Sequence, residues 1–341
     1  MIASVTFRNF KALRDAHVRL VPFNLLIGPN GSGKTSLIEA VLRLRSLARL
    51  PLGQPPLTDA RRVGGPEIIF NFITPYEGLK AALGCVSENV CDLLQVIPCA
   101  SDGAGAPTVT PDWPALRARL LRVRSYLLDH YAMALPTALK DGAELAGNGA
   151  NLAAVLAVRA RERPEAFASF CAEVVRVLPE YNDLRLVERP GDTVELQVRL
   201  ADGGEIVTAE NLSQGTLYTL AILTLAFDPD PPPIVCIEEI DRGIHPRLLR
   251  EVRDALYRLS YPTATGQTRA PVQVIATTQS PYLLDLFRDH PEEVIIAEKH
   301  GRAATFSRLS DRADLTELLA EGSLGDMWFA GILGGVPEEK S

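Results

Sequence analysis

The sequence lacks any long, uninterrupted apolar segment. Its longest apolar stretch, from Thr216 to Phe227, is too short to cross a bilayer, which takes about 20 residues. An apolar signal region is also missing at the amino terminus, because charged residues closely follow the first strand-like residues. We therefore expect a cytoplasmic protein with no membrane association.

Cysteine is scarce, and basic residues do not predominate. The five cysteines form no Cys-x-x-Cys pair and no histidine lies at zinc-finger spacing, which argues against structural zinc and predicts reduced thiols. The 35 Lys and Arg residues are outnumbered by 42 Asp and Glu residues, for a net charge of -7. Overall charge therefore disfavours nucleic-acid binding, and any DNA contact would need a local basic patch.

A glycine-rich loop lies between an apolar strand, residues 23–27, and an amphipathic helix. Residues 28–35 read GPNGSGKT and match the pattern G-x-x-x-x-G-K-[ST]. Its glycines let backbone N–H groups turn toward phosphate oxygens, and the helix N-terminus adds partial positive charge. Lys34 can reach the β- and γ-phosphates, and the Thr35 hydroxyl can ligate Mg²⁺. The motif in this context predicts a nucleotide site.

Two further segments have the order that such a site requires. Residues 211–216 read NLSQGT and precede an apolar helix; read alone, they indicate only a helix cap. About 20 residues later, the apolar strand 233–237 ends in Glu238 and Glu239. In Mg-nucleotide hydrolysis one acid holds the metal through its water shell, and the next orients or deprotonates water. We interpret Glu238 as the metal-side acid and Glu239 as the base.

Four segments carry a family resemblance: LSQGT, VCIEEIDRGIHP, VIATTQSPYLLD at 274–285, and LGDMWFAGILGG at 324–335. Together with the phosphate loop they resemble the standalone ABC-type ATPases of the AAA_21 family, relatives of RecF, Rad50 and SMC heads that occur in bacterial defence systems. The resemblance implies an α/β P-loop NTPase fold of the ABC/SMC-head type, with an antiparallel β lobe and a helical insert.

The resemblance also implies which residues contact ATP and Mg²⁺. Glu239 and Gln279 would be catalytic, and Thr35 and Glu238 would hold the metal. The nucleotide-binding residues would be Asn30, Gly31, Ser32, Gly33, Lys34, Thr35, Ser36, Ser213, Gly215, Asp241 and His245. Family members complete the site in trans, so we expect a homodimer or higher oligomer in which Ser213 and Gly215 of one subunit face the γ-phosphate bound by Lys34 of the other.

The sequence departs from the family pattern at three places. Glu238 stands where Asp is usual, which keeps a carboxylate for the metal. Gln279 replaces the switch histidine; it can hydrogen-bond a γ-phosphate but cannot titrate near neutral pH, so it bears on the rate of hydrolysis. A Q-loop residue is not evident, and Gln54 is only a guess.

The chain divides by pattern into three segments: an N-terminal ATPase lobe (1–84), a mixed hairpin and helical insert (85–182), and a C-terminal ATPase lobe (183–341). Helices are predicted at 112–135, 150–162 and 164–178, and hairpins at 83–97 and after residue 183. No sustained heptad run occurs, which excludes the long coiled-coil arms of Rad50 and SMC proteins.

Arginines are concentrated in two places, and each allows two interpretations. Arg117, Arg119, Arg122 and Arg124 could grip a phosphate backbone, or they could form a solvated helix face paired with acids. Arg43, Arg45, Arg49, Arg61 and Arg62 form a second cluster with the same ambiguity. For the first cluster the sequence favours the solvated helix face paired with acids, since the protein as a whole is acidic.

These observations predict an ATPase that switches its assembly state with nucleotide, in antiphage defence or DNA repair, with a separate nuclease-like effector. DNA is a possible further partner. One alternative is an ATP-bound scaffold that does not hydrolyse, which Gln279 keeps open. Another is the nucleotide-binding subunit of a membrane transporter, against which LSQGT in place of LSGGQ and the SMC-like EEIDRGIHP both argue.

Overall fold

The computed structural model describes residues 1–50, 65–98, 113–142 and 144–336 of the chain. Gln54, Arg61, Arg62 and Cys99 lie outside them, as does residue 112, where the first predicted helix begins. The chain forms two compact units. The first contains residues 1–125, 232–236 and 270–341, and the second contains residues 126–231 and 237–269.

The strands of the described residues form three sheets. They are β1 (Ile2–Phe10), β2 (Leu13–Arg19), β3 (Phe23–Ile27), β4 (Glu67–Phe72), β5 (Leu79–Ser87), β6 (Val90–Pro98), β7 (Arg124–Tyr126), β8 (Thr137–Ala138), β9 (Tyr181–Arg189), β10 (Thr193–Leu200), β11 (Ile206–Thr208), β12 (Ile234–Ile237), β13 (Gln273–Thr277), β14 (Val294–His300) and β15 (Ala303–Arg308).

The α-helices of the same residues range from five to 14 residues in length. They are α1 (Lys34–Leu47), α2 (Trp113–Leu121), α3 (His130–Ala134), α4 (Leu152–Glu162), α5 (Pro164–Val177), α6 (Gln214–Ala226), α7 (Leu249–Ser260), α8 (Pro281–Asp285), α9 (Leu315–Glu321) and α10 (Leu324–Phe329). None of these described helices is long and apolar enough to cross a membrane.

The first unit is built on two sheets. One is antiparallel with strand order β2-β1-β4-β5-β6, and the other has the order β15-β14-β3-β13-β12-β7. In the second sheet β13 and β14 both run parallel to the fully buried β3, and β15 is antiparallel to β14. Since parallel strands end at one edge, the residues after β3, β13 and β14 meet there. The predicted α/β fold with an antiparallel lobe is confirmed.

The second unit is mainly helical around a small sheet. Strands β9 and β10 form the hairpin that the sequence predicted, and β8 and β11 also pair with β10. Helices α4 and α5 match the predicted segments 150–162 and 164–178. The signature helix α6 is apolar on all sides, and every residue from Gly215 to Ala226 is buried. A helix of this composition is stable only inside a core.

Two expectations are wrong. The predicted helix at 112–135 is instead α2, strand β7 and the short α3, because Arg124–Tyr126 joins a sheet edge and Asp129 caps a new helix start. The expectation of five reduced thiols fails for Cys85 and Cys91, which form a disulfide. They face each other across the antiparallel pair of β5 and β6, a register that a search for Cys-x-x-Cys cannot find.

The arginines near α2 bind main-chain oxygens. Arg117 donates from Nε to the Ala48 carbonyl at 2.6 Å and from Nη2 to the Arg49 carbonyl at 3.2 Å, at the C-terminal end of α1. Arg124 donates to the Leu121 and Val123 carbonyls. A cation at a helix C-terminus satisfies carbonyls that lack an intrahelical partner. These contacts give Arg117 and Arg124 a structural role at main-chain carbonyls, which are partners that the interpretation as a solvated face paired with acids did not include.

Arg117→Gln is expected to lower the free energy of unfolding by about 1–3 kcal/mol, because the carbonyls at the end of α1 lose a charged donor. Urea titration measures this change, with the exposed Arg250→Gln as the control. Salt-dependent DNA binding provides the opposing test. If Arg117→Gln left stability unchanged but lowered the salt slope of DNA binding by about one unit, the phosphate-contact interpretation would be correct.

Candidate functional site

The phosphate loop begins at the carboxyl end of β3. Gly28, Gly31 and Gly33 have φ values of 142°, 75° and 96°, a backbone region that favours glycine. A Cβ atom at Gly28 would also collide with the Ala297 carbonyl oxygen of β14 and lie 2.9 Å from the Ser32 hydroxyl. The loop therefore curls tightly against the sheet, and its glycines are required by geometry.

Lys34 and Ser32 show how the loop is suited to an anion. The buried Lys34 ammonium donates to the Gly28 carbonyl at 2.6 Å and to the Pro29 carbonyl at 2.9 Å, so it lies inside the curl of the loop. The buried Ser32 hydroxyl has no hydrogen-bond partner among the described residues. At the start of α1 the N-cap residue, Gly33, makes no side-chain cap bond, and the first turn contains no acidic residue that would repel an anion. These features fit the phosphate groups of a nucleotide.

The switch segment follows β13 and reaches the phosphate loop. Gln279 donates from its amide to the Asn30 side-chain oxygen at 3.0 Å. Ser280 caps α8, accepting from the Leu283 N–H at 3.2 Å, and the Ser280 N–H donates to Thr278. The fold thus brings together Gln279 and Asn30, which are far apart in the sequence.

The second unit holds the paired acids. The Glu238 N–H donates to the Tyr126 carbonyl at 2.9 Å, which holds the chain beyond β12 against β7. Glu239 has a φ of 52°, the left-handed region, and its carboxylate lies 3.4 Å from Arg242 Nη1. A non-glycine residue in this region costs roughly 1–3 kcal/mol, a strain that is concentrated at functional sites. The chain turns directly after this strained residue, where the Arg242 N–H donates to the Glu239 carbonyl at 3.0 Å.

The signature segment begins α6. The Ser213 hydroxyl accepts from the Thr216 N–H at 3.1 Å, as expected of an N-cap, and lies 2.9 Å from the Thr216 hydroxyl. A Cβ at Gly215 would approach the Gly243 carbonyl oxygen to 2.5 Å. The signature therefore packs directly against the loop after the acids, and only glycine permits this approach.

That loop contains Asp241 and His245. Asp241 accepts from the Ile244 N–H at 3.1 Å through its main-chain carbonyl, and the intervening Gly243 has a φ of 70°. His245 Nδ1 accepts from the Arg247 N–H at 3.2 Å and caps a 3-10 turn. This bond orients the imidazole ring through Nδ1. The second ring nitrogen, Nε2, is the polar atom that does not take part in the cap.

Two arginines hold the opposite end of the signature helix. Arg159 donates to the Thr224 carbonyl and to the Asp228 carboxylate, the latter at 2.7 Å. Arg269 donates to the carbonyls of Ala226 and Asp228. Burial is the main cause that lowers the pKa of both guanidinium groups, and the Asp228 carboxylate opposes it. These charge-assisted bonds anchor α6 at its C-terminus, where cations are favourable.

The predicted site residues therefore fall into two groups. The first unit contains the phosphate-loop residues and Gln279, with Lys34 buried, Ser36 half-buried and Thr35 exposed. The second unit contains the signature and acidic residues: Ser213, Gly215, Glu238, Glu239, Asp241 and His245. In the first unit the structure brings two predicted residues, Gln279 and Asn30, into a hydrogen bond. In the second unit the predicted Gly215 packs against Gly243, which the sequence did not predict as a site residue.

The sequence did not predict that the C-terminal segment borders the phosphate loop. Trp328 donates from Nε1 to the Gly335 carbonyl at 3.1 Å, and a Cβ at Gly335 would lie 3.5 Å from the Gly28 Cα. Lys299, at the end of β14, lies 3.6 Å from the position of a Cβ at Gly31. The closely spaced glycines of the tail were the available signal, because a positive φ and close backbone approach both require glycine.

Comparison with known proteins agrees with this geometry. Residues 105–285 match the AAA_21 family model, described as "AAA domain, putative AbiEii toxin, Type IV TA system". Residues 1–51 match a second model, AAA_15, described as an AAA ATPase domain. No curated protein matches.

A solved structure with a TM-score above 0.5 shares the fold. An SMC head bound to the C-winged helix domain of ScpA is similar with a TM-score of 0.57 and 14% identity, over 91% of this chain and 99% of that chain. The SMC head domain from Thermotoga maritima is similar with a TM-score of 0.49 and 12% identity, over 90% of this chain and 98% of that chain.

Proposed function

Because the chain belongs to the AAA_21 family and has the fold of an SMC-type ATPase head, we propose that it binds and hydrolyses ATP and changes its assembly state as it does so. The observation that carries the proposal is the phosphate loop. Its three left-handed glycines, the buried Lys34 ammonium and the orphaned Ser32 hydroxyl form one cradle. The fit is to phosphate groups, because the N–H groups of a helix N-terminus and a lysine ammonium are the donors that phosphate oxygens require.

The residues of the chain supply the remaining chemistry. We propose that Thr35 and Glu238 hold Mg²⁺, which would neutralise charge on the phosphate oxygens. Glu239 would accept the proton of the attacking water, and Gln279, held by Asn30, would hydrogen-bond the γ-phosphate. Ser213 and Gly215, together with Asp241 and His245, would complete the site of a second copy. Neutral Gln279 cannot act as a titrating switch, which predicts slow turnover.

The biological role extends beyond the ATPase. We propose that nucleotide-dependent assembly regulates a separate effector in antiphage defence or DNA repair, a role suggested by the resemblance of the motifs to ATPases of bacterial defence systems. The cytoplasm is the expected location. A non-hydrolysing scaffold is the alternative that Gln279 favours, and phosphate release from the purified protein, with and without DNA, distinguishes the two.

Ser213→Ala is expected to abolish ATP-dependent assembly while ATP affinity changes less than twofold, because Ser213 would contact nucleotide only in trans. Loss of the cap should cost about 1 kcal/mol of stability. Light scattering with ATP or ADP measures assembly, and isothermal titration measures affinity. Ser323→Ala is the matched control, since Ser323 caps α10 in the same way. Assembly that survived in Ser213→Ala would contradict the proposal, and so would equal loss of assembly in Ser323→Ala, because the loss would then follow from a missing helix cap.

A further inference from the structure

The Cys85–Cys91 disulfide depends on an irregularity in the β5–β6 hairpin. Up to Gly84, which faces Leu93, the two strands pair in one continuous register, and that register would place Cys85 opposite Asp92. The register instead shifts by one residue at this point, so that Cys85 faces Cys91. Bulges of this kind redirect side chains and are common beside active sites. This irregularity is therefore what brings the two sulfurs together.

Strand pairing on both sides of the disulfide holds the hairpin together without it. Residues 79–84 of β5 are matched one by one with residues 93–98 of β6, and beyond the disulfide Ser87 is matched with Val90. Along its other edge β5 pairs with β4, so it is held inside the sheet as well. The oxidised and the reduced protein can therefore share one fold, which a reversible redox cycle requires.

The two cysteines differ in their access to solvent. Cys85 is only 2% exposed, whereas Cys91 is half-buried, so a small molecule reaches the pair from the side of Cys91. Thiol–disulfide exchange needs one accessible sulfur that reacts with the outside molecule and a second sulfur beside it that resolves the mixed disulfide. Cys91 has the position of the first sulfur and Cys85 that of the second.

Arg43 of α1 supplies the positive charge that a thiolate at Cys91 needs. Its Nη1 donates to the Cys91 sulfur at 3.3 Å, and its Cζ lies 4.9 Å from the centre of the Phe10 ring, which holds the guanidinium in place. Its other partner, Glu39 at 3.7 Å, also pairs with Lys11 and so keeps a cation if Arg43 turns toward the sulfur. A neighbouring guanidinium favours the thiolate, which is the reactive form of cysteine.

Cys171 and Cys236 are the free cysteines among the described residues, and their surroundings differ from those of Cys91. Cys236 is fully buried, which denies access to an outside molecule. Cys171 is half-buried like Cys91, but burial, with the charge of Asp183 adding to it, raises the pKa of its thiol to about 11. It therefore stays protonated near neutral pH and is a poor nucleophile. Partial exposure alone does not make a cysteine reactive in this protein.

We propose that Cys85 and Cys91 are a redox-active pair that exchanges with small organic disulfides and thiols. The Cys91 thiolate attacks one sulfur of the small disulfide, forms a mixed disulfide and expels one thiolate. The Cys85 thiolate then attacks the Cys91 sulfur, which closes the protein disulfide and releases the second small thiolate. Two electrons pass from the protein to the small disulfide, and the protons of the two cysteines pass to the two expelled thiolates. Reduction by small thiols is the same sequence in reverse.

The exchange does not rest on the proposed ATPase activity, but it involves a helix of the nucleotide site. Arg43 lies on α1, which begins at Lys34, so the redox state of the pair changes a contact of that helix. In reducing compartments such as the cytoplasm proposed above, disulfides are usually transient and are catalytic or redox-sensing. A reversible pair is the kind of disulfide that this location favours.

Intact mass of the reduced protein after mixing with oxidised glutathione tests the exchange. Every protein tested carries Cys99→Ser, so that the cysteines described above account for the result. The reference protein should lose the mass of two hydrogen atoms by way of a transient glutathione adduct. Cys85→Ser should keep a stable adduct on Cys91, because the resolving sulfur is missing. Cys91→Ser should form an adduct about tenfold more slowly, because Cys85 is buried.

The part played by Arg43 is tested in the Cys85→Ser protein, where the adduct is stable. Arg43→Gln should slow adduct formation about tenfold, and Arg43→Lys, which keeps the charge, should restore part of the rate. Arg250→Gln, at an exposed position of α7, is the matched control, and circular dichroism confirms that each variant is folded. The proposal is overturned if the reference protein stays a dithiol, if Cys85→Ser and Cys91→Ser form adducts at equal rates, or if Arg43→Gln leaves the rate unchanged.

Discussion

Glu239→Gln is expected to reduce phosphate release 10²–10⁴-fold, the usual cost of losing a general base, while ATP still binds. Glutamine keeps the size of the side chain and one hydrogen-bonding oxygen, but it cannot accept a proton from water. The left-handed backbone at Glu239 should tolerate the change, because glutamine meets the same backbone strain as glutamate. A large loss of rate without a loss of fold is therefore the expected result.

The same variant also tests assembly. Uncleaved ATP should hold two heads together, so light scattering should report a larger species with ATP and Mg²⁺ than with ADP. Glu188→Gln, an exposed glutamate on β9, is the control and should behave like wild type. Wild-type turnover in Glu239→Gln would contradict the base assignment. Loss of turnover with no change in mass would contradict the nucleotide-linked dimer and leave the base assignment intact.

The phosphate loop was predictable because its signal is local. Buried strand β3, the glycines and the start of α1 follow one another in the chain, and each residue type is required by backbone geometry or phosphate chemistry. The cap at Ser213 was predictable for the same reason. The close approach of Gly215 to Gly243 was not, because it depends on packing between segments that are distant in sequence.

Tertiary context also explains where the sequence misled. Residues 112–135 have helical periodicity and arginines at helical spacing, yet Arg124–Tyr126 enters a sheet, because pairing of the backbone outweighs weak local propensity. The Cys85–Cys91 pair and the C-terminal segment at Trp328 likewise depend on which strands and loops become neighbours. Such pairings leave little trace in a single sequence, because the partners are joined by the fold and not by a local pattern.

Gln279 occupies the switch position of the sequence motif, and the structure adds its hydrogen-bond partner. The sequence placed Gln279 where the family has histidine, and the structure adds that its amide is bound to Asn30. That bond holds the Gln279 side chain at the phosphate loop, and its neutral amide cannot titrate as an imidazole can. Gln279 already lies at the phosphate loop, so the measured rate of ATP hydrolysis is what decides between an ATPase and a non-hydrolysing scaffold.

Lys34→Ala is expected to weaken ATP binding about 100-fold or more. Each charge-assisted hydrogen bond contributes about 1.5–3 kcal/mol, and about 1.4 kcal/mol corresponds to a tenfold change in Kd. The ammonium already bonds the Gly28 and Pro29 carbonyls, so it should exchange these partners for phosphate oxygens when nucleotide binds. No other described lysine is buried, which makes replacement by a neighbouring side chain difficult.

The lost carbonyl contacts give Lys34→Ala a second, independent consequence. Two loop carbonyls lose their donor, so the free energy of unfolding should fall by about 1–3 kcal/mol. Isothermal titration with ATP and Mg²⁺ measures the first effect and urea titration the second, with Lys80→Ala on β5 as the control. A folded Lys34→Ala protein that binds ATP with wild-type affinity would remove the phosphate loop from the nucleotide site, because its one buried cation would then contribute nothing to binding.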